Sequence, residues 1–305
     1  MKPSHWPLQK SLFILIGSTL LTLSVSIGGY TLFRYMRQSK LHSKEYEIAA
    51  IVQTGPEKEA LKSSYLAELL DLSLDAPTNL YAVDSKKLAL QLLASPLIKS
   101  CEIKKLFPNT LYIDYETRKP LAWIADYRNI AIDAEGYLLP VSPFLPPKEI
   151  PELYLGLPAF GAPEDGQGRK GGLWNTPLEN QHLRVALDVL RIFEGSQWHE
   201  GLKLLRIDVS NAFAPTLGRR EIVLFTEECI TVEQKGKPLN FVFPKILRLG
   251  SKRYQEQLDH FFTLRKTMAA DYRKQLAMQE TSTHFAPRII DLRIEQLAFV
   301  ENSIK

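Results

Sequence analysis

From Ser11 to Phe33 the chain carries no charged side chain, and the flanking residues, Lys10 and Arg34, are both cations. A bilayer core of about 30 Å takes about 20 apolar residues in a helix rising about 1.5 Å per residue, so this run is long enough to span one. Leu12, Phe13, Ile14, Leu15, Ile16, Leu20, Leu21, Leu23, Val25 and Ile27 supply the apolar surface. Trp6, Tyr30 and Tyr35 stand at the levels where headgroups meet hydrocarbon. Such a helix confines everything after it to one side of a membrane. A signal peptide is the competing reading, because Lys2 and Lys10 form a basic leader. Signal h-regions usually run about 7–15 residues, however, and this one is longer, so an uncleaved anchor is expected. Ser18, Thr22 and Ser26 recur at four-residue steps, a pattern that suits a close helix–helix contact or plain lipid-facing filler. Charge bias raises an objection to the orientation. Arg34, Arg37, Lys40 and Lys44 follow the span and outnumber Lys2 and Lys10 before it, which taken alone would hold the following domain in the cytoplasm.

Beyond the span the length suits two modest domains better than one core. Net charge is +4 with acidic and basic residues interleaved, so no nucleic-acid footprint appears. Cys101 and Cys229 are the two cysteines; far apart and inside strand-like segments, they read as buried free thiols.

After Tyr46 the elements can be read in turn. Glu47–Gln53 is a short strand stopped by Thr54-Gly55-Pro56. Lys58–Leu72 carries Leu61, Tyr65, Leu66, Leu69 and Leu70 at helical spacing. Asp84 is an N-cap for a second helix with Leu88, Leu92 and Leu93, closed by Pro96. Two strands follow, Leu97–Lys104 and Thr110–Glu116. In the second, Leu111, Ile113 and Tyr115 alternate with Tyr112, Asp114 and Glu116, the period of a half-buried strand. A small sheet covered on one face by two helices is the natural packing.

That order carries the strings Asn79-Leu80-Tyr81-Ala82-Val83-Asp84, Ser95-Pro96-Leu97-Ile98 and Phe107-Pro108-Asn109-Thr110-Leu111-Tyr112-Ile113. Together they resemble a POTRA domain. The continuation Glu116-Thr117-Arg118-Lys119-Pro120-Leu121-Ala122 is similar to the "E-R-x-P-x-A" junction of the FtsQ/DivIB cell-division family, with Thr117 inserted. Ile132-Asp133-Ala134-Glu135-Gly136 resembles that family's step into its β domain, and Leu249-Gly250 and Asp291-Leu292-Arg293 its later signatures.

The second domain is expected to open with a strand pair, Trp123–Asp126 and Asn129–Asp133. Pro158–Asn175, rich in Gly and Pro, reads as a mobile surface loop. Its Gly166–Gly171 stretch lacks the preceding strand and following helix that a phosphate cradle needs. Thr176 N-cap, Pro177 at N1 and Glu179 at N3 mark a helix running to Gly195. Strands are expected at Leu202–Val209, Glu221–Thr226, Ile230–Gln234 and Leu239–Phe243. A long helix capped by Ser251 should run to about Ala277, and two strand-like runs lie between Pro287 and Val300. The fold class is therefore α+β: one transmembrane helix, a β-α-α-β-β POTRA domain, then a mixed β domain with two long helices. The boundaries are 1–10 for a cytoplasmic tail, 11–33 for the span, 34–45 for a linker, 46–118 for the POTRA domain and 119–305 for the β domain.

No residues are assigned to catalysis, to a cofactor or to a metal. The six histidines are scattered, and there is no HExxH, G-x-S-x-G, Walker loop or C-x-x-C. His199-Glu200 reads as surface capping, and Glu227-Glu228 as solvated charge at a strand turn. The resemblance implies a non-catalytic divisome scaffold in the inner membrane, with most of the chain outside the cytoplasm, that links division proteins and helps control septal peptidoglycan synthesis. It implies FtsB-like and FtsL-like partners, held by the last strand of the β domain through Arg293, Ile294, Gln296, Leu297, Ala298 and Phe299. Two alternatives are a membrane-anchored hydrolase using His182, His199 and Glu200, and an outer-membrane transport component. The second fits poorly with the two long helices.

Overall fold

The apolar run folds as one continuous helix, α1 (Leu8–Leu41), in the computed structural model, which describes residues 8–55, 60–73, 75–166, 169–195, 201–234, 237–276 and 287–302. Lys10–Leu41 is long and apolar enough to cross a membrane, and none of its most apolar window is buried. Within it the hydroxyls of Ser18 and Thr22 donate to helix carbonyls one turn back, Ser18 to Leu15 at 3.0 Å and Thr22 to Ser18 at 3.0 Å. Small polar side chains are thereby satisfied without help from a neighbour, as a lipid setting requires.

The chain divides into two compact units, Met1–Glu116 and Thr117–Lys305. In the first, α1 is followed by β1 (Ala50–Thr54), α2 (Ser63–Leu69), α3 (Ser85–Leu93), β2 (Ile98–Leu106) and β3 (Thr110–Thr117). The sheet order is β1-β3-β2, with β1 parallel to β3. Strand β3 alternates as its sequence predicts, burying Leu111, Ile113 and Tyr115 while Asp114 and Glu116 face out. Leu66, Leu80, Leu88 and Leu92 of the same unit are buried as well, each such burial contributing about 1.5–3 kcal/mol. Asp84 caps α3 by accepting from the Lys86 backbone N–H at 2.9 Å. Of the expected helix Lys58–Leu72, residues 58–59 lie outside the described residues, and within 60–72 helix α2 covers only Ser63–Leu69. Its approach is fixed instead by the Tyr115 hydroxyl, which accepts from the Leu61 N–H at 2.8 Å and holds that residue outside the helical ladder.

The second unit is built on a nine-stranded mixed sheet in the order β12-β11-β10-β9-β8-β7-β4-β5-β6. The strands are β4 (Ala122–Ile124), β5 (Ile130–Ile132), β6 (Leu138–Pro140), β7 (Glu152–Tyr154), β8 (Leu202–Asp208), β9 (Ile222–Gln234), β10 (Lys237–Leu249), β11 (Arg288–Asp291) and β12 (Phe299–Asn302). Helices α4 (Gln181–Gly195) and α5 (Tyr254–Leu276) supply Leu183, Ala186, Leu190, Phe193, Leu258, Phe261 and Phe262 to one core with Leu224, Leu247 and Ile290.

A buried pair sets the entry to this unit. Arg118 Nη1 donates to Asp133 Oδ2 at 2.8 Å and the guanidinium lies 3.7 Å from the Tyr137 ring centroid. The other Asp133 oxygen accepts from the N–H groups of Glu135 and Tyr137, tightening a turn in which Gly136 takes φ +88°. That backbone conformation strains any residue with a Cβ, which explains the glycine.

Several expectations are corrected. Helix α4 begins at Gln181, not at Thr176: Asn180 Oδ1 accepts from the Leu183 N–H at 2.7 Å, a cap inside the expected helix. The Leu178 N–H is meanwhile taken by the Gly136 carbonyl. Helix α5 starts three residues after Ser251, and residue 277 lies outside the described residues. The expected mobile loop Pro158–Asn175 closes on itself. The Tyr127 hydroxyl donates to the Pro158 carbonyl at 2.9 Å and accepts from the Gly172 N–H at 2.8 Å. Gly161 and Ala162 pair with Gly172 and Gly171, while Phe160 packs between Tyr127 and Trp174. Neither cysteine is buried: Cys101 is half-buried and Cys229 exposed, both as free thiols.

Candidate partner-binding edge

The long hairpin β9–β10 pairs without interruption from Ile222↔Leu249 to Gln234↔Lys237, and its outer strand carries β11 in parallel and then β12 antiparallel. Strand β12 ends the sheet order, so one of its backbone edges faces β11 and the other pairs with no described strand. Unpaired N–H and C=O groups along such an edge are a template for a strand from another chain. Ile294, Leu297, Phe299 and Val300 are all about half exposed, an apolar group collected at this end of the sheet.

The expected partner segment divides in two here. Ile294–Ala298 is not strand but the connection between β11 and β12, with Gln296 at φ 58°. Phe299 begins the strand itself. A continuous strand over Arg293–Val300 is prevented because the chain must reverse direction to run antiparallel to β11. Arg293 holds that reversal. Its Nη2 donates to Asp291 Oδ2 at 2.7 Å and its Nη1 to Glu221 Oε2 at 3.2 Å. Arg248 joins the same carboxylates, with Nη2 2.6 Å from Glu221 Oε2 and Nη1 3.6 Å from Asp291 Oδ2. Burial opposes ionisation of Asp291, but hydrogen bonds from Arg293 and the Arg248 charge outweigh it and hold the carboxyl below its ordinary range. Beside the reversal lies a groove of about 490 Å³ lined by Leu217, Ile294 and Phe299 together with Arg220, Lys252, Arg253, Asp291 and Arg293. Its charged lining is predominantly cationic.

Glu228 was expected in solvent at a turn and is instead buried within β9. Its Oε1 accepts from Arg265 Nε of α5 at 2.8 Å and its Oε2 from Lys245 of β10. Tyr272 stacks on Phe243 and lies beneath both Lys245 and Arg288. Burial, with Arg265 and Arg288 close by, pushes the Lys245 ammonium down to about 7. A sequence signal existed: Glu228 shares the odd-even parity of Leu224, Thr226 and Ile230, the buried face of the strand. The ionic cluster fastens α5 to the hairpin that carries the edge.

His182 is buried on α4 and packs edge-on against Phe213 at 5.0 Å. Burial first, and the Arg169 charge second, lower its pKa. His199 and Glu200 lie outside the described residues. Among the described residues no three His, Cys, Asp or Glu side chains gather in a way that could hold a metal ion.

Comparison with known proteins bears on the first unit. No curated protein matches the chain. Residues 58–115 match the family model of the FtsQ-type POTRA domain, a stretch that takes in α2, α3, β2 and most of β3. With this domain behind a helix long and apolar enough to cross a membrane, the chain fits an FtsQ/DivIB-like protein.

Proposed function

We propose that the chain is a bitopic scaffold of the bacterial division machinery, anchored by α1 in the inner membrane with both folded units outside the cytoplasm. The FtsQ-type POTRA match behind an apolar helix carries this reading. The same match outweighs the cations at Arg34, Arg37, Lys40 and Lys44, which by themselves argue for the opposite orientation. The scaffold recruits FtsB-like and FtsL-like proteins to the septum and thereby helps control septal peptidoglycan synthesis, without chemistry of its own.

In this reading an FtsB-like segment adds a strand to the free edge of β12, flanked by exposed apolar side chains on both faces, Phe299 on one and Val300 on the other. Backbone pairing supplies affinity and the flanking side chains supply choice of partner. The cationic groove beside the reversal favours a partner with acidic residues next to its strand. The test is co-purification from membranes of the full chain and of a chain ending at Leu292. The full chain should recover FtsB-like and FtsL-like proteins and the shortened chain should lose them while still unfolding cooperatively, at a lower temperature. Equal recovery by both would move the site away from β12, and recovery by neither would sink the scaffold reading.

A further inference from the structure

Helix α1 does not stop at the end of its apolar run. Arg34–Leu41 continues it, and at about 1.5 Å per residue carries it about 12 Å beyond the hydrocarbon, into and just past a headgroup layer of roughly 5–8 Å. The first unit is tied to that helix end. Asn79 Nδ2 donates to the carbonyls of Lys40 at 3.0 Å and Ser43 at 3.2 Å, and the Leu80 N–H donates to Tyr46 at 2.7 Å.

These bonds set three aromatic rings beside the end of α1. Tyr46 and Tyr81 meet edge-on at 4.9 Å, and Phe107, at the tip between β2 and β3, lies 4.9 Å from Tyr81. Lys40 Nζ sits 5.3 Å from the Tyr81 centroid. Phe107 is 55 % exposed and its neighbour Leu106 is also exposed. Between Arg34 and Glu47 four cations, Arg34, Arg37, Lys40 and Lys44, face two carboxylates, Glu45 and Glu47. One exposed ring, Phe107, with two half-buried tyrosines beside cations, held where a membrane helix emerges, matches the chemistry of a bilayer surface: rings settle at the headgroup level and cations at anionic lipid.

We propose that the Tyr46–Tyr81–Phe107 cluster, with Lys40 and Lys44, is a membrane-docking face that seats the first unit on anionic phospholipid headgroups of the bilayer α1 crosses. The occupant is set by continuity with α1 and by charge. Docking restricts the tilt and rotation of the unit about the helix end. It also gives the cations after the span a use that does not depend on the orienting preference they oppose.

The full chain in lipid nanodiscs tests this. Amide hydrogen exchange at Leu106–Thr110 and Tyr81–Val83 is compared between phosphatidylcholine discs and discs that also contain phosphatidylglycerol. Exchange should slow in the anionic discs. Lys40→Gln with Lys44→Gln should return that protection, about fivefold for each cation lost. Phe107→Ser, at an exposed position, should weaken it without altering the core amides of Leu111 and Ile113. Equal exchange in the two lipids, or protection indifferent to the double lysine change, would overturn the proposal.

Discussion

Arg293 grips Asp291, two residues before it, through Nη2–Oδ2 at 2.7 Å and Nε–Oδ1 at 3.0 Å, and the Arg293 backbone N–H donates to the same carboxylate at 3.1 Å. The pair sits where β11 ends and the chain turns back towards β12. Asp291 thus organises the reversal, and Glu221 ties it to the base of β9 through Arg293 and Arg248. Residues that resemble a family signature here act by positioning the edge strand.

Arg293→Ala should leave the second unit folded, at a cost of about 1–3 kcal/mol for the lost charged hydrogen bonds, and should loosen the reversal. Hydrogen exchange at Phe299–Glu301 should accelerate while Ile222–Leu224 stays protected. Unchanged exchange at β12 would show that the turn holds without the pair.

The depressed Asp291 carboxyl gives a pH dependence of known sign. Its stabilisation is present above the ordinary value of 3.8 and is lost as pH falls through the lower folded value. The stability gap between wild type and Asp291→Asn should therefore narrow as pH drops below 3.8. Urea unfolding across that range checks it, and a constant gap would contradict it.

Lys245 behaves in the opposite sense. With its folded pKa at about 7 against an ordinary 10.5, the unfolded chain binds the extra proton between those values, so stability rises with pH across the window. Relative to Lys245→Met, the wild type should gain up to about 1.4 kcal/mol per pH unit above pH 7. A gap that stays flat between pH 7 and 9 would contradict the account. Glu228→Ala should cost about 3–5 kcal/mol, because it strands Lys245 and Arg265 without their buried anion.

Asp133→Ala should likewise cost about 3–5 kcal/mol, since buried Arg118 would keep only the longer, half-exposed Glu135 contact at 3.7 Å and the Gly136 turn would lose its acceptor. Arg118→Lys should recover little of this, as an ammonium cannot reproduce a planar guanidinium lying over Tyr137. Thermal unfolding of the two variants separates these outcomes.

Much of the first unit was legible because its signals are local: the period of β3, the Asp84 cap and the uncharged run all report neighbours in sequence. What was hidden depends on distant partners. The start of α2 is set by Tyr115, far along the chain. Pro158–Asn175 looks loose by composition, yet Tyr127 staples its base. Glu227-Glu228 looks like a turn because two carboxylates usually seek water; the cations that keep one of them buried come from β10 and α5. At the candidate edge, the terminal β run was read too early, over Arg293–Val300, and the strand is Phe299–Asn302. The reversal at Ile294–Ala298 was not legible, because it is fixed by Asp291, Glu221 and Arg248 acting together.

The most direct test of the central claim is site-specific photo-crosslinking in dividing cells, with a photoreactive residue at Val300 on the free edge and a comparison position at Leu217 across the groove. The account predicts a strong crosslink from Val300 to an FtsB-like protein, abolished when the chain carries Pro at Asn302, whose N–H lies on the edge away from β11. Co-purification of that partner without any crosslink from Val300 would contradict it and place the binding surface elsewhere on the protein.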